Sequence, residues 1–235
     1  MKLFIINKKG IYMLLIAILI IISIIIYISI YNKIDETFRT DVYYKGNIDK
    51  KVVTFACNVD WGDEHIPSML QLFKKYDVRI TYFVTGRWAE KNPELLKAMY
   101  DHGHEIGNHG YRHVDYDQLG YEQNKEEIIK AHNAIKNILE IQPNYFAPPS
   151  GAYNDNTVKA AKDLNYDIIM WSIDTIDWRQ DATRDIIIDR VINKLHNSAI
   201  ILMHPTQETV RALPELIEYL FAENYKITTV GNLME

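Results

Sequence analysis

The chain has 235 residues and a formal net charge of −5 at neutral pH. This length allows one or two domains, and the negative charge argues against a nucleic-acid-binding protein. The single cysteine, Cys57, excludes an intrachain disulfide. The folded part must therefore be stabilised by its apolar core.

An uncharged segment near the start of the sequence predicts a membrane anchor. Residues 11–31 are apolar except for Ser23 and Ser29, and a helix of that length would cross a bilayer core of about 30 Å. Lysines at positions 2, 8 and 9 precede it and predict a cytoplasmic N-terminus. No small-residue cleavage site follows, which favours a retained signal anchor.

This organisation predicts a single-pass protein of the cell membrane with its main domain outside the cell. We expect a cytoplasmic segment at 1–10, the anchor at 11–31, a polar stalk at 32–50 and a folded domain at 51–235.

Apolar runs and amphipathic stretches alternate from residue 52 onward. Strands are predicted at 52–58, 79–85, 104–108, 144–148, 167–173, 199–204 and 226–230. Helices are predicted at 67–76, 93–102, 121–139, 154–164, 183–196 and 209–223. This alternation indicates an α/β fold of parallel units. A complete eightfold barrel needs about 250 residues, so we expect a distorted or incomplete (β/α)7-type barrel. A doubly wound open sheet is the alternative, but the glycine-rich phosphate loop that would favour it is missing.

Histidines and an aspartate follow predicted strands, where functional groups collect in parallel α/β folds. His109 and His113 come directly after the strand at 104–108, and their spacing allows both imidazoles to bind one divalent ion. Asp60 ends the first strand and would add a carboxylate ligand. The alternative interpretations are two surface histidines and an aspartate that caps a turn.

A second group follows two later strands. His204 ends the strand at 199–204, and Asp174, Asp177 and Trp178 follow the strand at 167–173. An aspartate bound to one nitrogen of His204 would orient it as a general acid. The alternative interpretation is a structural histidine.

These motifs together resemble the polysaccharide deacetylase family, which shares the NodB homology domain and is also known as carbohydrate esterase family 4. The resemblance covers about residues 51–235. The histidine pair lies in HEIGNHGYRH, FAPPSG matches the third motif of the family, Asp177-Trp178 the fourth, and Leu202-Met203-His204 the fifth.

The resemblance implies the roles of several residues. Asp60, His109 and His113 would bind a divalent metal, most often zinc. His204, oriented by Asp177, would protonate the leaving amine. The backbone N–H of Ser150 would complete an oxyanion hole, and Trp178 and Leu202 would form the wall of the pocket for the acetyl methyl group.

The first motif departs from the family pattern, T-F-D-D-G, because this chain has T-F-A-C-N-V-D-W-G. In one alignment Asp60 is the catalytic base and Trp61 takes the ligand position. In the other, Asp60 is the ligand and Asn58 replaces the base. The family's arginine that pairs with the base is Ala147 here, and losing both partners together avoids an unpaired buried charge. We therefore favour Asp60 as the ligand. Arg87, after the second strand, is a candidate replacement for the arginine.

The predicted function is a metal-dependent hydrolase that removes N-acetyl groups from an extracellular amino-sugar polymer, such as peptidoglycan or a chitin-like glycan. The altered first motif and Ala147 support an alternative, a glycan-binding domain with weak or lost catalysis. An esterase acting on O-acetyl groups is a third possibility, since the same chemistry cleaves esters.

Overall fold

The computed structural model describes residues 8–38, 42–46 and 49–235. The chain divides into two units, Met1–Thr40 and Asp41–Glu235. The predicted cytoplasmic segment at 1–10 lies mostly outside the described residues, as does part of the predicted stalk.

The described part of the first unit is one helix, α1 (Lys8–Phe38). It contains the predicted anchor at 11–31, where the described side chains are exposed. Among the residues with an assigned structure, no helix has the length and apolar character needed to cross a membrane.

The second unit is built on one sheet whose paired strands all run parallel. Its strands are β1 (Val42–Tyr43), β2 (Val52–Val59), β3 (Thr81–Val84), β4 (Glu105–Asn108), β5 (Tyr145–Phe146), β6 (Asp167–Ile169), β7 (Ile173–Asp174), β8 (Ile200–Met203) and β9 (Lys226–Thr228). Their order is β1-β6-β5-β4-β3-β2-β8-β7, and β9 pairs with β2.

Helices alternate with these strands. They are α2 (Ile66–Lys75), α3 (Gly86–Lys91), α4 (Pro93–Asp101), α5 (Tyr121–Leu139), α6 (Asp155–Asp163), α7 (Arg184–Ile192), α8 (Gln207–Ala222) and α9 (Val230–Met234). The prediction of a parallel β/α architecture is confirmed in this form, a curled half-barrel consistent with a distorted (β/α)7 fold.

The strand β2 lies at the centre of the core because almost all of its residues are buried. Phe55, Cys57 and Val59 pack into the largest apolar cluster, which also contains residues of α2, α4 and α8. Parallel strands covered by helices are expected to be apolar on both faces. Packing from both sides fixes β2 and therefore the position of Asp60, which follows it.

The short helices α3 and α9 were not predicted from the sequence, and several predicted elements differ from those in the structure. The predicted strand at 167–173 is two strands, because β6 pairs with β5 whereas β7 pairs with β8. The strand at 226–230 ends early, since the Thr229 side chain accepts a hydrogen bond from Asn232 N and caps α9. Within the predicted stalk, Val42–Tyr43 pairs with β6 and Gly46 N donates to Ser198 O.

Candidate active site

A cavity of about 380 Å³ opens at the carboxyl ends of the strands and contains most of the predicted site residues. Its walls are formed by Asn58, Asp60, Trp61, His109, His113, Ser150, Trp171, Asp174, Trp178, Leu202 and His204. The side chains named by the sequence motifs therefore meet in one place, as the fold requires of residues that follow parallel strands.

The two histidines of the second motif face each other, with ring centroids 5.1 Å apart. His109 is buried, and its Nδ1 donates to the Ala147 carbonyl oxygen at 2.7 Å, which leaves Nε2 with its lone pair. Burial and the neighbouring His113 lower the pKa of His109 to about 3, so its imidazole is neutral at neutral pH. A neutral imidazole whose other nitrogen binds a carbonyl is the usual form of a metal ligand.

The loop between these histidines is held from helix α5. The Glu127 side chain is almost fully buried, and its two oxygens accept from the backbone N and the Nε of Arg112, at 3.0 and 2.7 Å. Gly110 and His113 have φ of 73° and 55°, in the left-handed region. Such a loop needs external contacts to keep one conformation, and Glu127 supplies them.

Asp60, the predicted third ligand, is hydrogen-bonded to Thr85 and Arg87. Its Oδ1 accepts from Thr85 Oγ1 at 2.7 Å and from Arg87 Nε at 2.9 Å, and its Oδ2 accepts from Arg87 Nη2. No group of three or more His, Cys, Asp or Glu side chains in the described ranges is arranged to hold a metal ion. His109 and His113 offer two imidazoles at the cavity, a donor type that suits a divalent ion, whereas both oxygens of Asp60 accept hydrogen bonds from Arg87.

Arg87, the candidate replacement for the arginine that the third motif lacks, forms an ion pair with Asp60. It lies at the start of α3, directly across from Asp60, and binds both carboxylate oxygens. Burial alone would raise the pKa of Asp60, but the hydrogen bonds from Arg87 and Thr85 and the charge of Arg87 outweigh it and lower this pKa. Asp60 is therefore ionised at neutral pH.

Asn58 also lines the cavity and is buried in β2. Its Oδ1 has no hydrogen-bond partner among the described residues. A buried unpaired amide oxygen is costly, by about 1–3 kcal/mol, so a donor from a ligand or water in the cavity would stabilise it. Asn58 is the residue that one alignment puts in place of the family's base.

His204 is fixed by a fully buried carboxylate. Asp177 Oδ1 lies 2.7 Å from His204 Nδ1, and Oδ2 accepts from His204 N at 2.7 Å and from Thr209 Oγ1 at 2.6 Å. With Nδ1 bound, the Nε2 of His204 is the nitrogen free for substrate. The predicted orientation of His204 by an aspartate is present, whereas Asp174 only accepts from Ile176 N.

The loop that carries Asp177 is strained and supported from α7. Ile176 has a φ of 51°, which is unfavourable for a β-branched residue. Arg190 Nη1 donates to the carbonyl oxygens of Thr175 and Ile176, at 2.8 and 3.2 Å. This contact compensates for the strain and keeps Asp177 beneath His204.

The remaining predicted residues form the walls of the cavity. Leu202 is buried at its base, and Trp178 is 57% exposed at its rim. Ser150 lies in a short 3₁₀ turn with a φ of 57°. The hydrogen bonds of this turn are donated by Gly151 N and Ala152 N, so they do not use the Ser150 N–H proposed for the oxyanion hole.

Several site residues were not predicted from the sequence. Thr85 and Thr209 bind the two aspartates, Glu127 and Arg190 hold the loops, and Trp61 packs on His204. Only Thr85 and Trp61 could have been found from the sequence, because both follow strands. Glu127 and Arg190 lie on helices, where a charged residue is normally taken as solvent-exposed.

Comparison with known proteins agrees with this geometry. A family model described as polysaccharide deacetylase matches residues 45–169. The chain is 38% identical over 200 residues to the uncharacterized protein YlxY of Bacillus subtilis, covering 85% of this chain and 62% of that protein. The chain thus spans less than two thirds of that relative's length. It is 30% identical to the peptidoglycan-N-acetylmuramic acid deacetylase PdaA of the same organism, covering 83% of this chain and 75% of PdaA.

A solved structure gives the same fold. BA3943 of Bacillus anthracis, described as a CE4 family pseudoenzyme, superimposes with a TM-score of 0.82 at 36% identity, covering 85% of this chain and 71% of that chain. A BA3943 mutant is described as having restored enzymatic activity. By the match of the family model and of these relatives, this chain belongs to the polysaccharide deacetylase family.

Proposed function

We propose that the protein is a hydrolase that removes N-acetyl groups from an amino-sugar polymer, with peptidoglycan as the first candidate and a chitin-like glycan as the second. One observation carries the proposal: His204, held by a buried Asp177, lines the same cavity as the His109–His113 pair. Relatives named as peptidoglycan deacetylases support the choice of substrate.

His204 is the proposed general acid. Its Nδ1 binds Asp177, and its Nε2 would give a proton to the amine nitrogen as the amide C–N bond breaks. The carboxylate stabilises the imidazolium that carries this proton. The Ser150 N–H would bind the developing oxyanion, and Leu202 and Trp178 would contact the acetyl methyl group.

His109 and His113 are the proposed ligands of a divalent ion, for which zinc is the first candidate because imidazole nitrogens suit it. Such an ion, when bound, would activate water and polarise the acetamide carbonyl.

Asp60 is the proposed general base, in preference to the ligand role that the sequence favoured. Its ion pair with Arg87 reproduces the pairing of base and arginine that the family resemblance implies. A lowered pKa keeps Asp60 ionised but also makes it a weak proton acceptor near neutral pH. We therefore expect slow turnover.

A second candidate function is glycan binding without turnover. It is supported by Asn58, which cannot accept a proton as a carboxylate does, and by the similarity to the BA3943 pseudoenzyme. Under this proposal the cavity binds the sugar and the weak base leaves the amide intact.

The proposed location is the outer face of the cell membrane, with α1 as the anchor. The support is the uncharged sequence at 11–31 and the lysines before it. Accessibility of the second unit to protease added outside intact cells tests the location, and a domain protected until the cells are lysed would contradict it.

Acetate release from N-acetylglucosamine oligomers and from purified peptidoglycan tests the two functions together. The deacetylase proposal predicts slow release by the full chain that disappears in His204→Ala. Binding of the same oligomers with no release, whichever divalent ion is supplied, would favour the glycan-binding function instead.

A further inference from the structure

Trp61 is an exposed tryptophan at the rim of the cavity that the family motifs leave without a role. It follows Asp60, lines the cavity and is 44% exposed. A tryptophan that is partly exposed where it lines a cavity offers apolar ring surface to a ligand. Trp61 lies next to the groups that are proposed to act on the substrate.

The Trp61 ring contacts His204. The indole stacks on the His204 imidazole, with centroids 5.8 Å apart and planes within 6° of parallel. Nearly parallel rings with centroids this far apart are offset, and the half-exposed indole keeps ring surface open beside the cavity. A flat aromatic face beside a sugar-sized cavity is suited to a pyranose ring, whose C–H groups bind the negative face of an aromatic ring.

The backbone next to Trp61 is tightly packed. Gly62 has a φ of 80°, and a Cβ at this position would lie only 2.2 Å from the Pro205 carbonyl oxygen. The turn after β2 is therefore packed tightly against the residue that follows His204.

Building on the deacetylase or glycan-binding function, we propose that Trp61 is a stacking platform for a neighbouring pyranose ring of the glycan, adjacent to the sugar held in the cavity. A polymer must continue past the cavity, and Trp61 lies beside His204, where the chain of sugars would leave it. This site favours oligomers over single sugars.

Calorimetric titration of the full chain with N-acetylglucosamine and with its tetramer tests the platform, with zinc supplied so that the proposed ion is in place and over a time short compared with the slow turnover expected. We expect Trp61→Ala to weaken tetramer binding by about threefold to tenfold and to leave monomer binding unchanged. Trp61→Phe retains most of the tetramer affinity. Phe221→Ala is the matched control, because Phe221 is also 44% exposed but does not line the cavity.

The outcomes separate this proposal from the function it rests on. If the wild-type chain binds the tetramer and Trp61→Ala binds it equally well, the platform is wrong and glycan recognition stands. If Trp61→Ala weakens monomer and tetramer by the same factor, Trp61 acts only in the cavity and the neighbouring-ring platform is wrong. If the wild-type chain binds neither sugar, both proposals are contradicted.

Discussion

Arg87, at the start of α3, binds both carboxylate oxygens of Asp60 at the end of β2. This pair joins two neighbouring strands across the mouth of the cavity. It keeps Asp60 ionised, and it occupies the carboxylate that the sequence assigned to a metal.

Replacing Arg87 by alanine should raise the pKa of Asp60, because the burial that opposes ionisation remains while the ion pair is lost. The titration of the Asp60 carboxyl, followed by carbon NMR, should move to higher pH. Arg79→Ala is a matched control, since Arg79 is 53% exposed against 52% for Arg87 and pairs with Asp77 instead. An unchanged Asp60 titration would contradict the assigned cause.

The ion pair of Asp60 and Arg87 also predicts how the free energy of unfolding changes with pH. Because the pKa of Asp60 is lowered on folding, its contribution is present above the ordinary value of 3.8 and is lost as the pH falls through the lower folded pKa. Arg87 is half-exposed, so we expect about 1 kcal/mol or less. Urea unfolding of the wild-type chain and Arg87→Ala should differ at pH 7 and converge at the acid end. A constant difference at all pH values would be inconsistent with linkage.

Asn58→Asp should increase turnover by about tenfold or more, because it adds a carboxylate without an arginine partner. Burial would raise the pKa of this new acid towards the working pH and make it a stronger base than Asp60. Acetate release under saturating substrate is the measurement. Asn58→Ala is the control and should give no gain. If Asn58→Asp is no faster than the wild-type chain, Asn58 does not occupy the position of a base.

Asp177→Asn should reduce kcat by about 10²–10⁴-fold. The amide would present a donor to groups that now donate to Asp177, and His204 would lose its orientation and its counter-charge. Asp174→Asn is the control, because Asp174 lines the same cavity but binds only Ile176 N. Comparable losses in both variants would point to a general effect of charge in the cavity rather than to His204.

Glu127→Gln should lower the free energy of unfolding by about 1–3 kcal/mol, since a buried carboxylate that accepts two hydrogen bonds from Arg112 is replaced by an amide. Glu126→Gln is the neighbouring control, because Glu126 is exposed and pairs only with Lys130 on the helix surface. Chemical denaturation measures both. Equal stability of the two variants would show that Glu127 does not hold the histidine loop.

The fold and the residues that line the cavity could be predicted from the sequence, because both follow from the positions of the strands. His109, His113 and His204 come directly after buried strands, and parallel strands place their ends together. The partners of these residues were not predictable in the same way. Glu127 and Arg190 lie far along the chain on helices, and only packing turns their side chains towards the loops.

The role of Asp60 shows most clearly which features of the site could not be predicted from the sequence. Its position after β2 was correct, but a carboxylate at a strand end can bind a metal, an arginine or water. The choice depends on Arg87, whose orientation comes from the N-terminus of α3, a helix that the sequence pattern did not predict. Thr85, which caps α3, also donates to Asp60 and fixes the same carboxylate.

We propose that the histidine pair and the Asp177-oriented His204 act together on an N-acetylated glycan. Acetate release from N-acetylglucosamine oligomers by the full chain tests it, with and without a chelator and in His109→Ala and His204→Ala. The account predicts slow release in the wild-type chain that chelation and either substitution abolish. Release that survives the chelator and both substitutions would contradict it.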